Sequence, residues 1–150
     1  MRCFHSPLHR AHAGTHEIYR GELVPCFEKP ERADFVLQAF QAAGLGEVCA
    51  PADWGLAPIE RVHHARYLAF LQRIWGQWAA QGHTRDLLPA VWAARGLRDD
   101  VEPENLVAQA GLYSFDSGSP LTAGTWTAAL AAAHCALSAQ AAVAAGERVA

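Results

Sequence analysis

The stretch Pro30-Glu31-Arg32-Ala33-Asp34-Phe35-Val36-Leu37-Gln38-Ala39-Phe40-Gln41-Ala42-Ala43-Gly44, followed after Leu45-Gly46 by Glu47-Val48-Cys49-Ala50, decides the fold. Pro30 suits a first helical position, where its missing N–H costs nothing, and Glu31 suits the positive end of the helix dipole. Phe35, Val36, Ala39, Phe40 and Ala43 recur at three-and-four spacing, which predicts an apolar helix face. Gly44 supplies a left-handed residue to close the helix, with Leu45 placed to fold back on it. Glu47 to Ala50 then predicts a short strand ending at Pro51. Upstream, Arg2-Cys3-Phe4-His5 is a short apolar run before Pro7, compatible with a first strand. Strand, crossover with helix, strand is the pattern of a parallel pair, so the expected class is α/β.

The chain has 150 residues, of which 51% are apolar and 18% charged, with a formal net charge of −3. That length fits one domain, and the apolar share excludes a solvated, disordered chain. With 12 basic against 15 acidic side chains, there is no electrostatic footprint for nucleic acid. The first residues reach His5 and Pro7 before any apolar run forms, so no signal-peptide pattern is expected there. The four cysteines, Cys3, Cys26, Cys49 and Cys135, lie far apart and form no Cys-x-x-Cys pair. They suit reduced, mostly buried thiols, and a cytoplasmic protein is expected.

Residues 6–29 show neither helical nor strand period and are broken by Pro7, Gly14, Gly21 and Pro25. A connection of about two dozen residues is either disordered or functional. A second helix is predicted over 64–80, with Tyr67, Leu71, Ile74, Trp75 and Trp78 as its apolar stripe and Arg66, Arg73 and Gln77 facing away. Residues 83–121 are again irregular, apart from a short helical turn over 105–113. The last helix, about 122–146, contains no Asp, Glu, Lys or Arg. It meets the length of a membrane span, about 20 residues. Its alanines add little transfer energy, and Thr125, Thr127, His134, Ser138 and Gln140 oppose insertion, so a buried helix is expected. Trp126, Leu130, Ala133 and Leu137 would form one apolar face. Glu147 to Ala150 reads as the start of another strand. Two short strands are too few for a stable open sheet, so the chain is expected to be part of a larger domain.

His9-x-x-His12-x-x-x-His16, with His5 close by, has the rhythm of metal ligands on a helix, but Pro7 and Gly14 argue against a continuous helix. The doublet His63-His64 stands where a helix starts, and His63 is expected to cap or pack there. No Gly-rich phosphate loop, Gly-x-Ser-x-Gly elbow or His-Glu-x-x-His motif occurs. From the residues alone, no complete catalytic constellation can be assembled.

Three segments carry a resemblance. Glu17-Ile18-Tyr19-Arg20-Gly21-Glu22-Leu23-Val24-Pro25-Cys26-Phe27-Glu28-Lys29-Pro30-Glu31-Arg32-Ala33 resembles the first active-site loop and helix start of bacterial acetylpolyamine amidohydrolases, in the histone deacetylase superfamily. Val62-His63-His64-Ala65-Arg66-Tyr67-Leu68-Ala69-Phe70-Leu71 is similar to that superfamily's Val-His-x-x-x-Tyr-Leu-x-x-Leu segment. Gly111-Leu112-Tyr113-Ser114-Phe115-Asp116, with Leu121-Thr122-Ala123-Gly124-Thr125-Trp126, looks like the second loop running into its helix.

The resemblance implies an arginase/deacetylase-like parallel sheet flanked by helices, of which residues 1–150 are the N-terminal part of a single domain. It implies zinc-dependent hydrolysis of an acetyl amide, with a histidine pair handling protons and a tyrosine stabilising the oxyanion. Those groups and the zinc ligands are expected beyond residue 150. No catalytic or metal residue falls on this chain, and residues 1–150 alone are expected to be inactive. His63-His64 is not that pair. What transfers is the substrate entrance: Glu17 and Tyr19 on the first loop, Phe115 and Asp116 on the second. Where polyamine members carry acids flanking the second loop, this chain has Val107 and Gly118, leaving Asp116, Glu102 and Glu104 as the nearby acids. The implied substrate is a small acetylated amine, with an acetyl-lysine peptide as the alternative, and neither nucleic acid nor a membrane is an expected partner. The long second loop implies a homodimer, with Trp92 and Leu97 as apolar anchors. A non-catalytic module binding amines or a partner is the rival from another class.

Overall fold

The structure, a computed structural model, describes residues 1–93, 96 and 98–150. In chain order its elements are β1 (Arg2–Phe4), a 3-10 turn (Pro7–Ala11), β2 (His16–Tyr19), β3 (Glu22–Pro25), α1 (Glu31–Ala42), β4 (Glu47–Cys49), α2 (Ala57–Glu60), α3 (Ala65–Ala80), α4 (Leu106–Leu112) and α5 (Thr125–Ala144). They form two compact units. Unit 1 comprises Met1–His12, Glu28–His63 and Gly124–Ala150, and unit 2 comprises Ala13–Phe27 and His64–Ala123.

In unit 1, β1 and β4 pair in parallel, with Arg2 opposite Glu47 and Phe4 opposite Cys49, as the crossover pattern predicts. A Cβ at Gly46 would stand 1.8 Å from the Met1 carbonyl oxygen, and its φ is +149°. Only glycine lets the chain enter β4 this close to β1. Gly44, at φ +59°, closes α1, and Leu45 N–H folds back to donate to the Phe40 carbonyl at 3.3 Å. The expected face of α1 is only half right. Phe40 is buried, but Phe35 and Val36 are 66% and 70% exposed. The side chains facing inward are Asp34, Leu37 and Phe40, because a two-stranded sheet offers too narrow a surface to cover a wider stripe.

The face of α5 also differs. Its buried residues are Ala128, Ala131, Ser138 and Ala142, whereas Trp126, Leu130, Ala133 and Leu137 are half-buried. Small side chains bring the helix close to β1 and the 3-10 turn: a Cβ at Gly124 would stand 2.0 Å from the Ala11 carbonyl oxygen. Ser138 Oγ accepts hydrogen bonds from Ala52 N–H and Trp54 Nε1–H, both at 3.0 Å. By length and composition α5 meets the criterion for crossing a membrane, and the small-residue stripe is the part of it that this unit buries. Glu147 to Ala150 form no strand; Glu147 pairs with Arg2 instead.

In unit 2, residues 16–25 form an antiparallel hairpin with Tyr19 opposite Glu22, where the sequence reading expected irregular chain. Arg20 and Gly21, at φ +53° and +84°, make the two-residue turn whose twist matches that of the strands. His64 rather than His63 caps α3, its Nδ1 accepting from Arg66 N–H at 3.1 Å. Leu68, Phe70 and Ile74 are the buried residues of α3. Phe70 and Ile74 join Leu87, Leu106, Ala110 and Leu121 in the core, and the Tyr113 ring lies 4.6 Å from that of Phe70. Leu87 and Leu121 exchange backbone hydrogen bonds of 3.0 and 2.9 Å across an isolated bridge. The expected turn over 105–113 is α4, capped by Asn105 Oδ1 accepting from Ala108 N–H at 3.0 Å. Arg73, expected to face water, instead pairs with Glu102, which also accepts from the Tyr113 hydroxyl at 2.7 Å.

Candidate functional site

The two segments singled out as a substrate entrance meet within unit 2. Ser117 Oγ–H donates to the Ile18 carbonyl at 2.8 Å, and Ile18 N–H donates to the Ser117 carbonyl at 3.4 Å. These bonds tie β2, between Glu17 and Tyr19, to the loop that carries Phe115 and Asp116. At the base of the hairpin, Asp86 Oδ2 accepts from both the N–H and the hydroxyl of Thr15 at 2.8 Å. Sequence reading missed Ser117, Asp86 and Thr15, because their partners lie far away along the chain and no local pattern marks them.

The four named residues divide sharply by position. Glu17 is buried, at 8% exposure, and its Oε2 accepts from Phe27 N–H at 3.3 Å, so its carboxylate braces the hairpin from inside. Asp116 is half-buried and uses Oδ1 to accept from Gly118 N–H at 2.9 Å, in the turn geometry typical of aspartate. Tyr19 and Phe115 are the exposed pair, Phe115 at 88%. The Tyr19 ring sits edge-on to Phe27, with centroids 5.4 Å apart, and carries the Arg20 guanidinium 5.1 Å from its centre. Of the other acids, Glu102 is held by Arg73 and Tyr113, and Glu104 is exposed. Val107 packs on the core and Gly118 is exposed. Burial, reinforced by Glu102, pushes the Tyr113 hydroxyl above the ordinary tyrosine value, so it stays a neutral donor. What this arrangement presents outward is aromatic surface, which can hold an organic cation over a ring face.

Unit 1 has a separate hollow of about 470 Å³ where the chain leaves β1 and β4. His5 and Ala50 to Asp53 line it from the strand ends, and Trp126, Leu130 and His134 from α5. In open parallel sheets this end of the strands is where ligands bind. Burial pushes the Cys49 and Cys135 thiols up, so neither is an activated nucleophile. Cys3, Cys49 and Cys135 are half-buried thiols and Cys26 is buried.

The histidine rhythm does not assemble as spaced. His12 Nδ1 bonds Thr125 Oγ1 at 2.9 Å, and His16 belongs to β2 in unit 2. Among the described residues, the one group of three potential ligands is His5, His9 and Asp34. That is not the ligand set the resemblance implies, whose members are expected beyond residue 150. The chemistry of the described residues therefore does not fit the implied catalytic zinc, and no hydrolytic step can be routed through them.

A parallel β1–β4 pair flanked by helices defines an α/β protein. Comparison with known proteins makes the class specific. The chain is 50% identical over 148 residues to Acetylpolyamine amidohydrolase 2 of Pseudomonas aeruginosa, covering 99% of this chain and 43% of that protein. It is 47% identical over 141 residues to Acetylpolyamine amidohydrolase 1 of the same organism, covering 93% of this chain and 41% of that one. A crystal structure of acetylpolyamine aminohydrolase from Burkholderia pseudomallei superposes with a TM-score of 0.83 at 29% identity, over 98% of this chain and 42% of that one. No protein-family model matches. The chain is thus similar in sequence and in fold to these acetylpolyamine amidohydrolases, and spans about two-fifths of the length of the curated relatives it matches.

Proposed function

We propose that this chain forms the substrate-entrance part of a zinc-dependent amide hydrolase that deacetylates acetylpolyamines or related acetylated amines, and does not itself contain the metal site. The observation that carries this reading is the 50% identity to an acetylpolyamine amidohydrolase across 99% of the chain. The hairpin and the loop at 113–121 would then line the mouth of the site. Phe115 would receive the cationic arm of the substrate, its ring worth about 0.5–1 kcal/mol at an exposed position, while Tyr19, whose ring carries Arg20, would line the mouth beside it. The net charge of −3 favours the approach of a polycation. Asp116 adds local negative charge at the rim, while Glu17 works from inside by holding the hairpin shape.

A chimera tests this. Residues 1–150 replace the matching part of the Pseudomonas relative, and acetate release from an acetylated polyamine is followed with and without a chelator. Chelator-sensitive turnover is expected, with Phe115→Ala and Asp116→Asn raising KM several-fold and leaving kcat nearly unchanged. A folded chimera without turnover, or chelator-sensitive turnover by the 150-residue chain alone, would overturn the reading. Comparing kcat/KM for an acetylpolyamine and an acetyl-lysine peptide decides between the two substrate classes. The reading carries with it a cytoplasmic homodimer. Trp92, 46% exposed, is the available anchor; Leu97, the other one named from sequence, lies outside the described residues. A light-scattering mass of one subunit at micromolar concentration counts against the dimer.

A further inference from the structure

We propose that His5, His9 and Asp34 of unit 1 form a binding site for a divalent cation of the zinc class, which pins the 3-10 turn to the end of β1 and to α1. One donor atom from each residue lies within 4.8 Å of the others. His9 Nε2 stands 3.3 Å from Asp34 Oδ1, with side chains 20% and 17% exposed. A tetrahedral ion with bonds of roughly 2.0–2.1 Å holds its ligand atoms about 3.3 Å apart. The His9–Asp34 edge is already at that spacing, and the remaining atoms need to move by about an ångström or so.

Two further observations point the same way. The Nε2 atoms of His5 and His9 are both shielded from solvent and have no hydrogen-bond partner, since the His9–Asp34 contact lacks hydrogen-bond geometry. Two shielded nitrogens without partners, that of His9 beside a carboxylate, are costly unless something pairs with them. In addition, His9 Nδ1 lies 2.9 Å from the Ser6 carbonyl. A carbonyl only accepts, so Nδ1 carries a proton, and the neutral ring then turns its Nε2 lone pair toward Asp34, as metal-ligating histidines are held elsewhere. Nitrogen and carboxylate donors suit zinc better than magnesium or calcium. Arg10 opposes the ion, because its guanidinium lies 2.9 Å from Asp34 Oδ2. Its Nε also donates to Asp34 Oδ1 at 3.3 Å, but its side chain is 66% exposed, so water can replace it there, whereas the His9 imidazole is held by the Ser6 carbonyl. The site is separate from the zinc centre invoked under the proposed function, whose ligands this chain does not hold.

Calorimetric titration of the chelator-treated, reduced chain with zinc chloride at neutral pH is the test. One equivalent should bind, and the melting temperature should rise with zinc concentration. His9→Gln and Asp34→Asn should each weaken binding at least tenfold, Arg10→Ala should tighten it, and His12→Gln and His16→Gln should leave it unchanged. Cobalt loading should give visible bands of a four-coordinate ion without the near-ultraviolet charge transfer of a thiolate. No uptake at micromolar zinc, thiolate bands, or binding that is unmoved by His9→Gln or lost with His12→Gln each overturns the proposal. Circular dichroism of the variants separates lost ligation from lost fold.

Discussion

Unit 1 holds the parallel strand pair with α1 and α5, and unit 2 holds the better-packed core. In unit 1 two three-residue parallel strands pack with α1 and an alanine-rich α5, yet no strand residue is fully buried, and the buried residues of α5 are three alanines and a serine. In unit 2 the amphipathic α3 brings Phe70 and Ile74 together with Leu87, Leu106, Ala110 and Leu121 from the chain that follows it. The difference teaches that element type and burial are separate properties. A helix face is set by spacing along the chain, but whether it is covered depends on how much apolar surface other segments bring to it. Two strands bring little; a long loop that returns through Leu87 and Leu121 brings much.

The largest effect should come from hollowing the better-packed unit. Phe70→Ala should destabilise the chain by about 3–5 kcal/mol in urea titration. Phe35→Ala in unit 1, also an aromatic on a helix, should change stability by no more than roughly 0.5 kcal/mol. Equal losses would break the contrast between the units. Next in size is overfilling unit 1 where small residues set the spacing. Gly46→Ala, which meets the Met1 carbonyl oxygen, and Ala131→Leu, on the buried stripe of α5, should each cost about 1–3 kcal/mol. A silent Ala131→Leu would mean that α5 is not pressed against β1 and the 3-10 turn.

The smallest effect concerns pH. The hydroxyls of Tyr67 and Tyr113 in unit 2 are both raised above the ordinary tyrosine value, by burial in each case and additionally by Glu102 for Tyr113. Folding therefore favours their neutral forms. That contribution is whole below about pH 10, where an unfolded tyrosine titrates, and is lost as pH rises through the higher folded values. Tyr113→Phe should cost roughly 1 kcal/mol at neutral pH through the hydrogen bond to Glu102, and should shrink the alkaline fall in stability. An unchanged alkaline limb would place the sensitivity elsewhere.

The candidate site was legible in parts. Tyr19 and Phe115 could be named from the resemblance of their segments, and both are exposed on the hairpin and loop. That Glu17 turns inward to Phe27 N–H was invisible, because exposure of one strand residue depends on which sheet face has cover. The hairpin itself was missed because its turn is Arg20-Gly21 rather than the Asn-Gly pair that marks such turns most strongly. Among the histidines, spacing grouped His9 with His12 and His16, whereas the fold groups His5 and His9 with Asp34, a helix residue far along the chain.

By itself the sequence determined the parallel strand pair, the three longer helices and their ends, since each rests on residues within a few positions of one another: Gly44 at a left-handed φ, Asn105 at a helix start, short apolar runs between breakers. Only the tertiary structure decided where the core lies, that α5 buries its small side and not its bulky one, and which histidines share a space. Those outcomes depend on the competition among all segments for limited covering surface and for hydrogen-bond partners, and that competition has no local signature in the chain.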